Sequence, residues 1–254
     1  MKTEWDYTDL AEAYLKRPDY SDSAIDAMLA TMQLSSNALI CDMGAGVAHL
    51  TLALARRGFC IHAVEPNDAM RALGRQRTSD LPHGTPQVNW FEGTGEASGQ
   101  PDKSFDLLSF GSSFNVTDRQ KSLQESDRIL KSRGWFACMW NHRDLEDPLQ
   151  AHIEACIKHY IKDYDYGVRR EDQRDVIAAS NLFSKVEYVE GRVLHYQSAE
   201  EVETAWRSHA TLHRQAGGAF QSIISDIEGI LRAHGQDPIE IPYTTRIWYA
   251  QKLL

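Results

Sequence analysis

Several things are scarce in this chain of 254 residues, and each shortage narrows its function. No run of apolar side chains approaches the ~20 residues that cross a bilayer. The first ten residues, MKTEWDYTDL, carry none of the apolar stretch of a secretory leader. The expectation is a cytoplasmic protein without a membrane segment. Cysteine is sparse: Cys41, Cys60, Cys138 and Cys156 are scattered without metal-ligand spacing. They read as reduced thiols, three of them in predicted buried strands. Basic charge is in deficit, with 27 Lys and Arg against 36 Asp and Glu. A surface that neutralises nucleic-acid phosphates is basic, so no nucleic-acid partner is expected. No internal repeat or low-complexity tract occurs. His209 and His213 stand four apart, a spacing that metals use, but no acidic third ligand accompanies them, and no metal site is predicted.

What is present is concentrated between Ala38 and Glu65. A short apolar run from Ala38 to Cys41 stops at Asp42. Gly44 and Gly46 form a turn that lets a ligand approach the backbone. A helix is predicted over 48–57 and closes at Gly58, as helices do at a left-handed cap. Residues 60–64 form a second buried strand, and Glu65 lies just past it. This pattern is one βαβ half of a doubly wound sheet, with a ligand crevice at the carboxyl ends of the strands and an acid placed for a ribose diol. A dinucleotide fingerprint needs a third glycine, and its place is taken by His49. The Gly-Lys-Ser/Thr of a phosphate loop is missing as well.

The turn Asp42-x-Gly44-x-Gly46, with Thr51, Glu65 and Pro66 to Met70 (PNDAM), resembles the cofactor motifs of class I S-adenosylmethionine-dependent methyltransferases. Ala48 stands where many members have glycine. The likeness continues through Gly93-Thr94-Gly95-Glu96-Ala97, Ser104 to Leu108, the loop Phe110 to Asp118, and Arg128 to Lys131 with Gly134-Trp135. In that last segment Arg133 replaces the first of two usual glycines. Pro242 to Arg246 before the last strand is also similar. The resemblance implies an α/β, Rossmann-like, doubly wound seven-stranded sheet with its last strand antiparallel, plus a helical lid. It also implies S-adenosyl-L-methionine as cofactor.

The expected organisation is an N-terminal helical cap over 1–37 and a cofactor-binding core over 38–145. Helices and the sixth strand follow over 146–198, then a helical lid insertion over 199–239 and a final strand over 240–254. The lid is expected to pack with the N-terminal helices above the crevice, because insertions on rigid scaffolds tend to carry specificity. Predicted helices cover 10–16, 21–32, 67–76, 118–131, 148–163, 170–180, 199–210 and 220–234. Predicted strands cover 87–91, 105–110, 134–140, 183–191 and 240–252.

By the resemblance, Gly44, Ala45 and Gly46 meet the amino-acid part of the cofactor through their backbone. Asp42 organises the turn or meets the amino group through water. Glu65 accepts from the ribose hydroxyls, Pro66 and Met70 flank the adenine, and Gly95 and Glu96 hold its edge. Phe110 and Gly111 lie beneath the methionine moiety. Tyr14 and Arg17, in AYLKRPDY, match an N-terminal element of small-molecule methyltransferases, with Arg17 placed to pair with the cofactor carboxylate. On the acceptor side, Asn115 can orient a substrate through its amide. His142 has an ordinary pKa suited to proton removal near neutrality. The function expected is methyl transfer to an oxygen or nitrogen of a small molecule by a monomer or homodimer. A protein or RNA methyltransferase and a non-catalytic nucleoside-binding protein on the same fold are the alternatives.

Overall fold

The computed structural model describes Thr8 and residues 11–82, 86–207 and 209–254. The predicted helix over 10–16 therefore begins outside the described residues; its described part is the short α1, Ala11–Tyr14. The sheet has seven strands: β1 Leu39–Met43, β2 Cys60–Val64, β3 Val88–Phe91, β4 Phe105–Gly111, β5 Leu130–Arg143, β6 Glu187–Gln197 and β7 Ile239–Gln251. Their spatial order is β3-β2-β1-β4-β5-β7-β6. The first five run parallel, and β7 is antiparallel to both β5 and β6. The order reverses between β1 and β4, the switch point at which such sheets open a ligand crevice.

Alternation along each strand builds two separate cores. Cys41, Met43, Leu108, Phe110, Phe136, Cys138 and Trp248 point to one face, which also packs Leu123 and Ile129 of α5 (Arg119–Ile129) and Ile177 of α7 (Arg174–Ala178). Ile40, Ile61, Leu107, Ala137, Met139 and Ile247 point to the other. There they meet Ile25 and Met28 of α2 (Asp22–Met32) and Leu50 and Leu54 of α3 (His49–Ala55). A sheet buried on both faces explains why its strands read as near-continuous apolar runs. It also places α2 against the sheet, with β6 and β7 as its main neighbours, and not with the lid above the crevice.

Helix starts fall on capping side chains, as the sequence predicts. Ser21, Asn67 and Asp118 each accept a backbone N–H from three residues on, and Asp147 does the same ahead of Pro148. They open α2, α4 (Asp68–Ser79), α5 and α6 (Pro148–Tyr160). The segment expected as helix to 131 and strand from 134 differs. Leu130 already pairs with Phe105, and the ladder resumes at Leu107 and Trp135 after an irregularity. Arg133 turns the chain there at φ 61°. Its neighbour in kind is Ala48, at φ 75°. Both departures from the family's glycines thus sit in left-handed backbone, where glycine is unstrained.

A third core lies beyond the sheet. β7 starts four residues before Tyr243 pairs with the end of β5, so β6 and β7 project past the carboxyl edge. On this projection rest α6, α8 (Ala199–Arg207), α9 (Ala210–Ala216) and α10 (Phe220–His234). Ile153, Ile157, Trp206, Leu212, Ile223, Ile227, Ile241 and Tyr243 form their common interior. The helix expected over 199–210 is two helices. His209 breaks it, its ring Nδ1 accepting the Leu212 N–H at 3.2 Å. The strand expected over 183–191 runs instead from Glu187 to Gln197, because pairing with β7 sets its length.

Candidate cofactor and acceptor site

The turn after β1 is drawn onto the end of β2 by two hydrogen bonds. The N–H groups of Gly44 and Ala45 both donate to the Val64 carbonyl, at 2.8 and 3.0 Å. Gly44 sits at φ 67°, and a Cβ there would lie 2.5 Å from the Cβ of Ser113, so no side chain fits. Ser113 Oγ in turn donates to the Met43 carbonyl at 2.6 Å, which ties the loop after β4 to the turn after β1. Gly46, at φ 55°, donates its N–H to Glu65 Oε2 at 2.9 Å, while Glu65 Oε1 accepts from the Asn67 N–H at 2.8 Å. Glu65 is only 5% exposed. Burial raises its pKa, and the two amides pull the other way. Each oxygen uses one lone pair on an amide and retains another, so the group fits a ribose diol.

Asp42 lies beneath this turn with no exposed surface. Its Oδ2 accepts from Thr51 Oγ1 at 2.6 Å and its Oδ1 from Ser109 Oγ at 3.4 Å. Burial lifts its pKa to about 7 against these two hydrogen bonds, which lower it. Of the two roles read from the sequence, the enclosed carboxyl has the geometry of the turn organiser.

The other expected cofactor residues have the following surroundings. Met70 packs with Val47 and Ala11, its sulfur 3.9 Å from where a Cβ on Gly46 would be. Pro66 lies between Glu65 and Asn67 at the start of α4. A Cβ on Gly95 would lie 2.8 Å from Thr117 Cγ2 and 3.2 Å from Phe110 Cε1. Glu96 accepts the Asp118 N–H at 2.8 Å and so steadies the start of α5. A Cβ on Gly111 would lie 3.0 Å from Tyr20 Oη and 3.1 Å from Leu50 Cβ. Phe110 is different. Its ring is fully buried against Phe114 and Phe136, so its side chain belongs to the core and only its backbone borders the crevice.

A strap formed by residues 14–21 crosses this edge of the sheet. His49 Nε2 and Nδ1 bond the Tyr14 carbonyl and Asp19 Oδ1, at 2.9 and 2.8 Å. The imidazole that stands in the place of a third glycine is therefore held by the strap. Asn141 Nδ2 donates to the carbonyls of Pro18 and Asp19, and Gln197 Nε2 donates to that of Lys16. Lys16 pairs with Glu201 of α8 at 3.3 Å. Tyr20 Oη and Ser112 Oγ are 2.9 Å apart, and Ser112 itself has φ 58°. Arg17 lies over the Tyr14 ring at 3.5 Å from its centroid.

The acceptor-side residues depart from expectation. Asn115 Oδ1 accepts the Trp140 indole N–H at 2.9 Å, so this amide positions Trp140. His142 is 6% exposed, and burial together with the charges of Arg170, Arg246 and Arg169 lowers its pKa to about 3. It is neutral near pH 7, but with so low a pKa it is too weakly basic to hold a proton taken from an acceptor. The reading of His142 as a base poised near neutrality is thereby corrected. Residues the sequence reading did not single out complete this region. Arg143 stacks 4.1 Å from the Trp206 ring, and Arg170 and Arg169 lie 3.9 and 5.4 Å from the Tyr166 ring. Among the described residues there is no group of three or more metal-ligating side chains, and His209 is engaged as a cap. No helix of the described residues is long and apolar enough to cross a membrane. A cavity of about 500 Å³ lies between the end of α4 and β3 and is lined by none of these groups.

Fold, glycine turn and acid are together those of class I S-adenosylmethionine-dependent methyltransferases, the class whose cofactor is S-adenosylmethionine. Residues 41–138 match the family model of the methyltransferase domain. A methyltransferase-like protein of Schizosaccharomyces pombe is 22% identical over 250 residues, covering 96% of this chain and 94% of its own. A ubiquinone/menaquinone biosynthesis C-methyltransferase of Zymomonas mobilis is 32% identical over 116 residues, 45% of this chain and 47% of its own. Among solved structures, the phosphoethanolamine N-methyltransferase 2 of Haemonchus contortus, in complex with phosphomonomethylethanolamine and S-adenosylhomocysteine, superposes with a TM-score of 0.58 at 16% identity. It covers 98% of this chain and 58% of that one.

Proposed function

We propose that this protein transfers a methyl group from S-adenosylmethionine to an oxygen or nitrogen of a small molecule by in-line displacement. The cofactor supplies an electrophilic methyl on a sulfonium that is already a good leaving group. The chain's task is then to hold the acceptor collinear with that methyl and to keep water out. Positioning of this kind accounts for roughly 7–11 kcal/mol of a barrier. In this reading the backbone of Gly44, Ala45 and Gly46 takes the amino-acid part, and Glu65 takes the ribose. Pro66, Met70, Gly95 and Glu96 frame the adenine, and Tyr14 and Arg17 approach from the strap, with Arg17 placed to pair with the cofactor carboxylate. Gly111 sits beneath the methionine moiety. His142, neutral near pH 7, orients the acceptor and does not deprotonate it.

The observation that carries the small-molecule reading is the third core. A packed set of four helices stands at the carboxyl edge and is tied across it by the strap through Lys16 and Glu201. A covered site suits an acceptor that fits inside; a protein or RNA acceptor calls for an open groove. One relative is named a C-methyltransferase, which favours carbon as a second acceptor atom, and the position of a labelled methyl in the product separates the two.

Calorimetric titration with S-adenosylhomocysteine tests the proposal. Binding in the micromolar range is expected for the native protein. Glu65→Ala is expected to lower affinity by about 10- to 100-fold, since hydrogen bonds to a charged group contribute roughly 1.5–3 kcal/mol. Absence of binding at submillimolar ligand, or a variant indistinguishable from the native protein, removes the proposal.

A further inference from the structure

The acceptor side collects positive charge that the chain itself does not neutralise. Arg143 ends β5, Arg169 and Arg170 follow Tyr164 and Tyr166 in the connection after α6, and Arg17 belongs to the strap. Four cations from three separate segments thus meet at one edge, in a protein whose net charge is −9. Their fields overlap: Arg169 feels Arg17, Arg170 and Arg143, and the buried His209 feels Arg143, Arg169 and Arg17. Several arginines elsewhere on this chain find carboxylates, as Arg57 does with Asp22 and Asp26, and Arg128 with Asp102 and Glu125. None of these four has a carboxylate within ion-pair distance among the described residues; each instead faces an aromatic ring. The nearby carboxylate of Glu154 is taken by the Tyr166 hydroxyl and by Lys158.

A second, independent observation concerns hydrogen bonding. Trp206 Nε1, Tyr164 Oη and His142 Nε2 are buried polar atoms with no partner. Their residues are 2%, 7% and 6% exposed. Buried polar groups normally have partners, and leaving one without costs about 1–3 kcal/mol. Three such atoms occur beside the same arginines: Trp206 under Arg143, Tyr164 against Tyr166, and His142 in the fields of Arg169 and Arg170. Like-charged guanidiniums held together on aromatic faces, with orphaned polar atoms around them, form a receptor for an oxyanion on a flat or apolar body.

We propose that the methyl acceptor is an anion, a carboxylate or a phosphate ester, gripped by Arg143, Arg169 and Arg170 and walled by Tyr164, Tyr166 and Trp206. The inference rests on the methyltransferase reading and names the substrate class for that site. The oxyanion is the handle by which the acceptor is held. It also supplies the negative charge the cluster lacks.

The test is calorimetry on the protein saturated with S-adenosylhomocysteine, using benzoate, phenyl phosphate and the uncharged benzamide as probes. At least one of the two anions is expected to bind tenfold or more tightly than benzamide, and to weaken as salt is raised. Whichever anion binds separates the carboxylate from the phosphate class. Arg169→Gln and Arg143→Gln are each expected to reduce that preference about tenfold while S-adenosylhomocysteine binds as before. Arg170→Gln serves if the stack on Trp206 makes the second variant unstable. Anions no better than benzamide on a protein that does bind S-adenosylhomocysteine overturn this inference alone. Failure to bind S-adenosylhomocysteine overturns the methyltransferase reading beneath it.

Discussion

Asp42 offers a quantitative test of how the turn is held. Its carboxyl is fully enclosed, and burial lifts its pKa from 3.8 to about 7. In the unfolded chain the group ionises near 3.8; in the folded protein it keeps its proton until about 7. Between those values the unfolded state binds fewer protons, so stability falls as pH rises, and above the folded pKa the effect is flat. Each unit is worth about 1.4 kcal/mol, so raising the pH from 5 to 8 destabilises the protein by about 3 kcal/mol through this residue. Asp42→Asn removes the titration. Its amide oxygen accepts from Thr51, and its NH₂ donates to Ser109 Oγ, so the local geometry survives. At pH 5 the unfolded native chain is already ionised at this residue, so the variant is expected to melt somewhat higher even there. At pH 8 the gap between the two proteins is expected to be wider than at pH 5 by about 5–11 °C for a chain of this size. His142, with its lowered pKa, acts in the opposite direction as pH falls, but it is present in both proteins and cancels in the difference. Parallel melting curves across pH 5 to 8 would refute the argument, because they would mean that Asp42 titrates alike folded and unfolded.

The remaining predictions concern the same region. Gly44→Ala places a Cβ 2.5 Å from Ser113 Cβ at a positive φ, and is expected to cost about 3 kcal/mol or more, read as a lowered Tm; a change under 1 kcal/mol contradicts the close approach. His142→Gln is expected to leave the shape of the pH dependence of kcat/KM between pH 6 and 8 unaltered, since the native ring is already neutral there; an inflection near 6.5 that vanishes in the variant contradicts this. Glu65→Ala is expected to weaken S-adenosylhomocysteine with little loss of stability at neutral pH, because the deleted carboxyl is itself raised in pKa by burial; equal loss of both points to a structural role only.

The turn between β1 and α3 was legible in the sequence because its geometry demands particular residues at particular spacings. Only glycine fits at Gly44, and an acid must follow β2 to reach the Gly46 amide. The sheet order followed from the same motifs. What could not be read was anything set by packing between distant segments. His142 carries an ordinary side chain, and its low pKa comes from arginines 27, 28 and 104 residues away along the chain. Asn115 was open to a substrate role until Trp140 was found to occupy it. The arginine cluster left only a faint trace, the adjacent Arg169-Arg170 three residues after Tyr166, because its third member comes from β5 and its fourth from the strap. α9 was missed because its cap is a histidine, outside the usual capping types.

The way the cap is attached has a consequence for how such a protein diversifies. The excursion leaves the sheet at Gln197 and returns at Ile239, and these two residues face each other across one ladder. Everything between can lengthen, shorten or be exchanged as a cassette, with departure and re-entry points fixed side by side. The family match stops at residue 138, well before that junction. The helices of the third core between these points can therefore be exchanged at a single seam while the sheet and its glycine turn stay unchanged.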